Sequence, residues 1–224
     1  MVYSLYDGTI VMAQSALTSL AHILHQAEQR PNAADLLTAR LHDDMKPLTF
    51  QVHIATQVTE KMLARLTGRE PVVYDENLTS FPDLHERLQT AIKALGEADK
   101  DTVNRRGEEV EATTLAPGTV LPMSGAAFVN ATAIPNIFFH LTTAYAILRK
   151  EGVPLGKRDY IMSFVTSQLA GSQDLYGPCY VVKSVASLIA PGMPRISGRL
   201  KCFNIGATHE ASQASGKIRS RVTK

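Results

Sequence analysis

The sequence predicts an all-α domain over residues 1–160, a four-helix bundle with a small β-hairpin before its fourth long helix. Three observations carry this. Apolar residues recur at three- and four-residue spacing in four long stretches, the signature of amphipathic helices. Between the third and fourth stretches, a short run of alternating residues brackets a Pro-Gly pair, which reads as a hairpin. Four helices with one apolar stripe each bury those stripes against one another as a bundle.

The first helix is expected from about Gly8 to Gln29, with Ile10, Ala13, Leu17, Leu20, Ala21 and Leu24 on one face. Asp7 is placed to accept a backbone N–H at its start, and Pro31-Asn32 ends it. A short helical piece follows, Ala33 to Leu41. The second long helix begins after Asp43-Asp44 and runs to about Leu66. Pro47 fits its first turn, where a missing N–H has no partner to lose. Leu48, Val52, Ala55, Val58, Met62 and Leu66 form its buried face, and Gly68 stands where a left-handed cap residue belongs.

Ser80 and Asp83 have capping-box spacing ahead of a third helix, whose face is Leu84, Leu88, Ile92 and Leu95. The charged stretch 97–108 reads as a solvated connection. Val110, Ala112 and Thr114 alternate with polar neighbours, Pro117-Gly118 suits the centre of a type II turn, and Thr119, Val120 and Leu121 resume an extended run. The fourth helix is expected from about Gly125 to Glu151 with Ser124 as its cap, burying Ile137, Leu141, Ala144 and Leu148. Pro135 inside it removes one N–H and pushes on the carbonyl a turn back, so a kink or a late helix start is expected there.

Charge divides the chain. Residues 1–160 carry 15 Lys and Arg against 19 Asp and Glu, whereas residues 161–224 carry 8 against 2. The acidic main part argues against a nucleic-acid footprint. The basic part, with Gly171, Gly177-Pro178, Pro191-Gly192 and Pro194, is expected to be a poorly ordered tail containing two short segments of helix or strand, Ile161–Leu169 and Tyr180–Ile189. Both cysteines, Cys179 and Cys202, lie in it, so no disulfide framework staples the bundle. No basic leader precedes the first apolar stretch, and no unbroken apolar run of spanning length exists, so a cytoplasmic chain without a membrane partner is expected.

No phosphate-binding loop, dinucleotide fingerprint, paired-cysteine motif or metalloprotease helix motif is found. His22 and His25 are three apart on the first helix and can share a metal, although they sit at its polar edge. On the fourth helix Asn136 and His140 are four apart, on one face. His140 stands beside Ile137, Leu141 and Ala144 and is expected to point inward, with Tyr145 one residue round from the stripe. A buried histidine needs partners for its ring nitrogens. It is either a core residue held by a neighbour or a general base in a pocket. His53 and Gln57, four apart on the second helix, and Asp44 ahead of it would lie at the rim if the second and fourth helices face each other.

Three blocks resemble a known family: Leu36 to Thr56, with Pro47-Leu48 and Gln51-Val52-His53; Ile134 to Arg149; and Gly152 to Tyr160. Together they resemble, over about residues 3–160, the domain-of-unknown-function family numbered nineteen ninety-three, which is similar to the DinB-like helical bundles. The resemblance implies a DinB-like four-helix bundle. Many such bundles bind a divalent metal through three histidines, and they include thiol-dependent transferases and isomerases. His53 and Gln57 stand where the family is expected to carry Gln and Asp, and no third inward histidine is evident here.

The resulting expectation is a protein that binds or transforms a small molecule between its second and fourth long helices. His140, Asn136 and Tyr145 are its catalytic candidates and Asp44, His53 and Gln57 its ligand contacts. No metal ligand, cofactor or nucleic acid is assigned. The alternatives are a regulatory or interaction protein that uses the basic tail, and a homodimer through Phe138 and Phe139.

Overall fold

The chain's computed structural model describes residues 3–116 and 118–169. Its helices are α1 (Leu5–Glu28), α2 (Ala33–Leu36), α3 (Leu48–Thr67), α4 (Phe81–Gly96), α5 (Lys100–Arg106), α6 (Gly125–Phe128), α7 (Ile134–Lys150) and α8 (Lys157–Leu169). A β-hairpin, β1 (Val110–Ala116) and β2 (Thr119–Ser124), lies between α5 and α6.

Four helices make the bundle: α1 packs on α4 and α7, and α3 packs on the same two. Around the bundle the order is therefore α1, α4, α3, α7. The α1–α4 seam and the α3–α7 seam are opposite edges. The predicted stripes meet at the centre, where Ile10, Leu17, Leu20, Leu24, Leu48, Val52, Met62, Leu66, Leu84, Leu88, Leu95, Leu141 and Leu148 lose essentially all contact with solvent. Removing this much apolar surface from water is the main force holding the helices together.

The caps explain the helix limits. The Ser80 hydroxyl accepts a hydrogen bond from the Asp83 N–H at 3.3 Å, and the Asp83 carboxylate accepts one from the Ser80 N–H at 2.9 Å, the reciprocal box predicted for α4. Helix α1 starts a turn earlier than expected. Asp7 is its third residue rather than its cap, and accepts from the Ser4 N–H and hydroxyl at 2.9 and 2.7 Å. Pro47 caps α3, and Gly68 closes it at φ +75°, a conformation that costs glycine no Cβ clash. In the hairpin, Gly118 takes φ +78° as its turn requires, and Val110 to Thr114 pair antiparallel with Ser124 to Val120.

Three features depart from the sequence reading or add to it. The charged stretch 97–108 contains a helix, α5. Asp99 caps it through the Thr102 N–H at 2.9 Å, its one apolar residue Val103 is fully buried, and Asn104 accepts from the Tyr6 N–H at 3.0 Å. Its other residues are polar or charged, so an apolar pattern never forms. Second, Pro135 falls in the first two residues of α7, the late helix start expected there, but a π-helical turn that was not expected, Val129–Ala133, joins α6 to α7 just ahead of it and takes up the missing N–H.

Third, α8 runs across the boundary expected near Tyr160 and lies along α1. Ser19 donates to the Tyr160 carbonyl at 2.6 Å, Ser163 donates to the Ser15 carbonyl at 3.0 Å, and His22 meets Asp159 at 2.9 Å. Phe164 stacks on Phe138 at 5.6 Å, so of the two aromatics offered for a dimer only Phe139 remains outside, 58% exposed. The predicted segment Tyr180–Ile189, both cysteines and the rest of the basic tail lie outside the described residues. The run Gly125–Lys150, although broken by polar residues, has the length and mean hydropathy (1.2) that a membrane span also has. Its apolar residues Ile137, Leu141, Ala144, Ile147 and Leu148 are buried in the bundle.

Candidate functional site

Helices α3 and α7 run antiparallel along their seam, and near the start of α3 they bring Gln51 to His140. Gln51 falls inside the Leu48–Val52–Ala55 stripe and is only 2% exposed. Its amide nitrogen donates to the Lys46 carbonyl at 2.9 Å and to the Pro47 carbonyl at 3.3 Å. That leaves the amide oxygen, 2.7 Å from His140 Nδ1, as an acceptor only. His140 therefore carries its proton on Nδ1, and its Nε2 presents a lone pair. Among the described residues no protein group bonds to that Nε2.

Burial pushes the His140 pKa down to about 4, so the ring is neutral at pH 7. Two aromatic rings box it in. Phe139 meets it edge-on at 5.2 Å and Phe50 at 6.3 Å, and the Lys46 ammonium lies 5.6 Å over the Phe50 ring. A neutral imidazole of fixed tautomer, beside aromatic faces and one cation, can accept a hydrogen bond or a proton from a bound molecule.

Phe50 also touches His53, at 6.3 Å. His53 is 4% exposed, its Nε2 is 3.8 Å from the Glu76 carboxylate, and its buried Nδ1 has no hydrogen-bond partner. Burial holds its pKa below the ordinary histidine value, against the opposing pull of Glu76. The two histidines thus flank one aromatic ring.

The remaining candidates are placed elsewhere. Asn136 is exposed and lines a shallow groove with Val58, Lys61, Phe128 and Thr132, one turn away from His140 and not bonded to it. Tyr145 turns toward α8, edge-on to Tyr160 at 6.0 Å. Asp44 is exposed and pairs with His42 at 3.0 Å. Gln57 holds the backbone of the segment after α3: its oxygen accepts from the Tyr74 N–H at 2.7 Å and its nitrogen donates to the Val72 carbonyl at 2.9 Å. One donor and one acceptor of the amide are therefore taken up by that segment rather than by His140. A second shallow groove, by Asn77, Asp83 and Arg87, contains none of the six.

Sequence reasoning missed Gln51 and Glu60. Glu60 is 3% exposed; it takes both guanidinium nitrogens of Arg69 and the Val72 N–H at 2.8 Å. Burial raises its pKa, but these donors outweigh burial and hold it below the ordinary carboxylate range. The available signal was a polar residue inside an apolar stripe, most clearly Gln51 three after Leu48 and four before Ala55.

The resemblance implies a three-histidine metal site, and the α3–α7 seam does not fit one. It offers His53 and His140 with no third ligand. Among the described residues, the one set of three metal-binding side chains with ligand atoms within 4.8 Å of one another is His25, Glu28 and His85, on the opposite edge.

The four-helix arrangement with its hairpin defines a DinB-like bundle. It matches the crystal structure of a DinB family member protein from Shewanella denitrificans with a TM-score of 0.63 and 32% identity, over 70% of this chain and 91% of that one. The chain belongs to the family of the domain of unknown function DUF1993, whose sequence profile matches residues 5–161. No curated protein matches the sequence.

Proposed function

We propose that this DinB-like protein binds a small molecule at the α3–α7 seam, where His140 acts as hydrogen-bond acceptor and general base. The observation that carries the reading is the Gln51–His140 bond at 2.7 Å, which fixes the tautomer and directs the free lone pair to Nε2. Burial keeps the ring neutral, which suits the acceptor role; with a pKa of about 4 it is a weaker base than a free imidazole, so proton abstraction there needs an acidic donor on the ligand.

The surroundings set the ligand class. An acceptor on Nε2 calls for an O–H, N–H or S–H donor on the ligand. Phe50 and the exposed Phe139 suit an apolar or aromatic body beside it, and Lys46 suits an anionic group. His53 is a rim contact on the far side of Phe50.

The test is ligand-observed NMR with a library of small alcohols, phenols, thiols and hydroxy acids. Hits are expected with the wild type and lost in His140→Ala, with the helical circular dichroism of that variant retained. Hits that bind His140→Ala equally well would refute the site. A long-range nitrogen–proton spectrum of the imidazoles checks the tautomer directly: Nε2 of His140 is expected to be unprotonated at neutral pH.

A further inference from the structure

We propose that His25, Glu28 and His85 form a divalent transition-metal site, zinc being the best fit, that clamps α1 to α4. It lies on the opposite edge of the bundle from His140 and does not depend on the reading of that residue. Helices α1 and α4 are antiparallel, because Gly96 at the end of α4 lies beside Gln14 while His85 near its start meets Glu28 at the end of α1. His25 and Glu28 are three apart, so both project from one face of the last turns of α1.

Glu28 Oε2 is the shared corner. It lies 3.2 Å from His85 Nε2 and 3.9 Å from His25 Nδ1, and all three ligand atoms are within 4.8 Å of one another. Zinc takes nitrogen and oxygen ligands at about 2.0–2.2 Å, which puts neighbouring ligand atoms roughly 3–3.5 Å apart. The Glu28–His85 pair is already in that range. The closing movement falls to His25, whose side chain is 63% exposed and free to turn.

The donor set selects the ion. Two imidazoles and one carboxylate suit zinc, cobalt or nickel rather than calcium or magnesium, which prefer all-oxygen shells. Each imidazole can pair with Glu28 on its own; a metal accounts for both converging on the same carboxylate oxygen, with their rings edge-on at 6.4 Å. The other histidine of the sequence pair, His22, is held by Asp159 and takes no part. Three protein ligands at a partly exposed seam leave room for water to complete the shell.

The experiment is cobalt(II) titration of the full-length protein carrying Cys179→Ser and Cys202→Ser, followed by visible absorption, then zinc competition. One ion per chain is expected, with affinity falling more than about tenfold in His85→Ala and in Glu28→Gln, at least the loss that removing an outer-sphere partner produces. His140→Ala is expected to bind as the parent does. Saturating zinc should also raise the melting temperature of the parent and not of His85→Ala, which separates lost binding from lost folding. Absence of binding in the parent, binding indifferent to both α1–α4 replacements, or loss in His140→Ala instead would each overturn the site.

Discussion

Replacing His140 by glutamine isolates the contribution of one buried ring to acid stability. The folded-state pKa of His140 is about 4, and an unfolded histidine titrates near 6.5. Between those values the unfolded chain binds more protons than the folded one, so stability rises with pH through the window. It is complete above about pH 6.5 and is lost as pH falls toward about 4. At about pH 5 the unshielded effect is roughly 2 kcal/mol, and solvent reaching the half-buried ring reduces it to about 1 kcal/mol. Glutamine can still donate to Gln51 but does not titrate. The assay is urea unfolding of both proteins, followed by circular dichroism, near pH 7.5 and near pH 5. The wild type is expected to lose about 1 kcal/mol more than the variant between the two. His53, whose pKa is also lowered, acts in the same direction but is common to both proteins and cancels. Parallel losses would show that His140 is not held neutral by burial, and the proposed base would fail with it.

Three further outcomes follow from the packing. Arg69→Ala strips the buried Glu60 carboxylate of its guanidinium and is expected to cost about 2–3 kcal/mol in urea unfolding, whereas Glu60→Gln with Arg69 intact should cost less. Ser80→Ala removes the reciprocal cap of α4 and should cost about 1 kcal/mol, read from the same unfolding curve. Ending the chain at Tyr160 removes most of α8, including the Ser163 bond to α1 and the Phe164 stack on Phe138. A loss on the order of 1–3 kcal/mol relative to the full chain is expected by thermal melt, and an unchanged melt would show that α8 adds nothing to the bundle.

Much of the fold was legible because its determinants are local. A 3.6-residue period, a serine three residues before an aspartate, and a glycine after the last apolar position act over one or two turns, so α1, α3, α4, α7, both caps and the hairpin could be read in order. The errors share one cause. Helix α5 has a single buried apolar residue, too few to make a period, and the π turn before Pro135 is a backbone response to a missing donor that no pattern marks. Asn136 and His140 do share a face of α7, but the rotation of that helix within the bundle gives His140 to α3 and leaves Asn136 beside the hairpin groove.

By itself the sequence determined a mildly acidic helical bundle with His140 on the inner side of its fourth long helix, and left open whether the helix carrying His53 faces it. It could not assign partners. Gln51 and His140 are 89 residues apart, and His85 stands 57 residues from Glu28. Such pairs exist only after four stripes have packed and set each helix's rotation and register. Only the tertiary structure decided that His140 is neutral with Nε2 free, that Gln57 and Glu60 are committed to the segment after α3, and that His25 turns to Glu28 and His85 while His22 goes to Asp159. Helical periodicity fixes which side chains point inward; the distances between helices fix what they meet there.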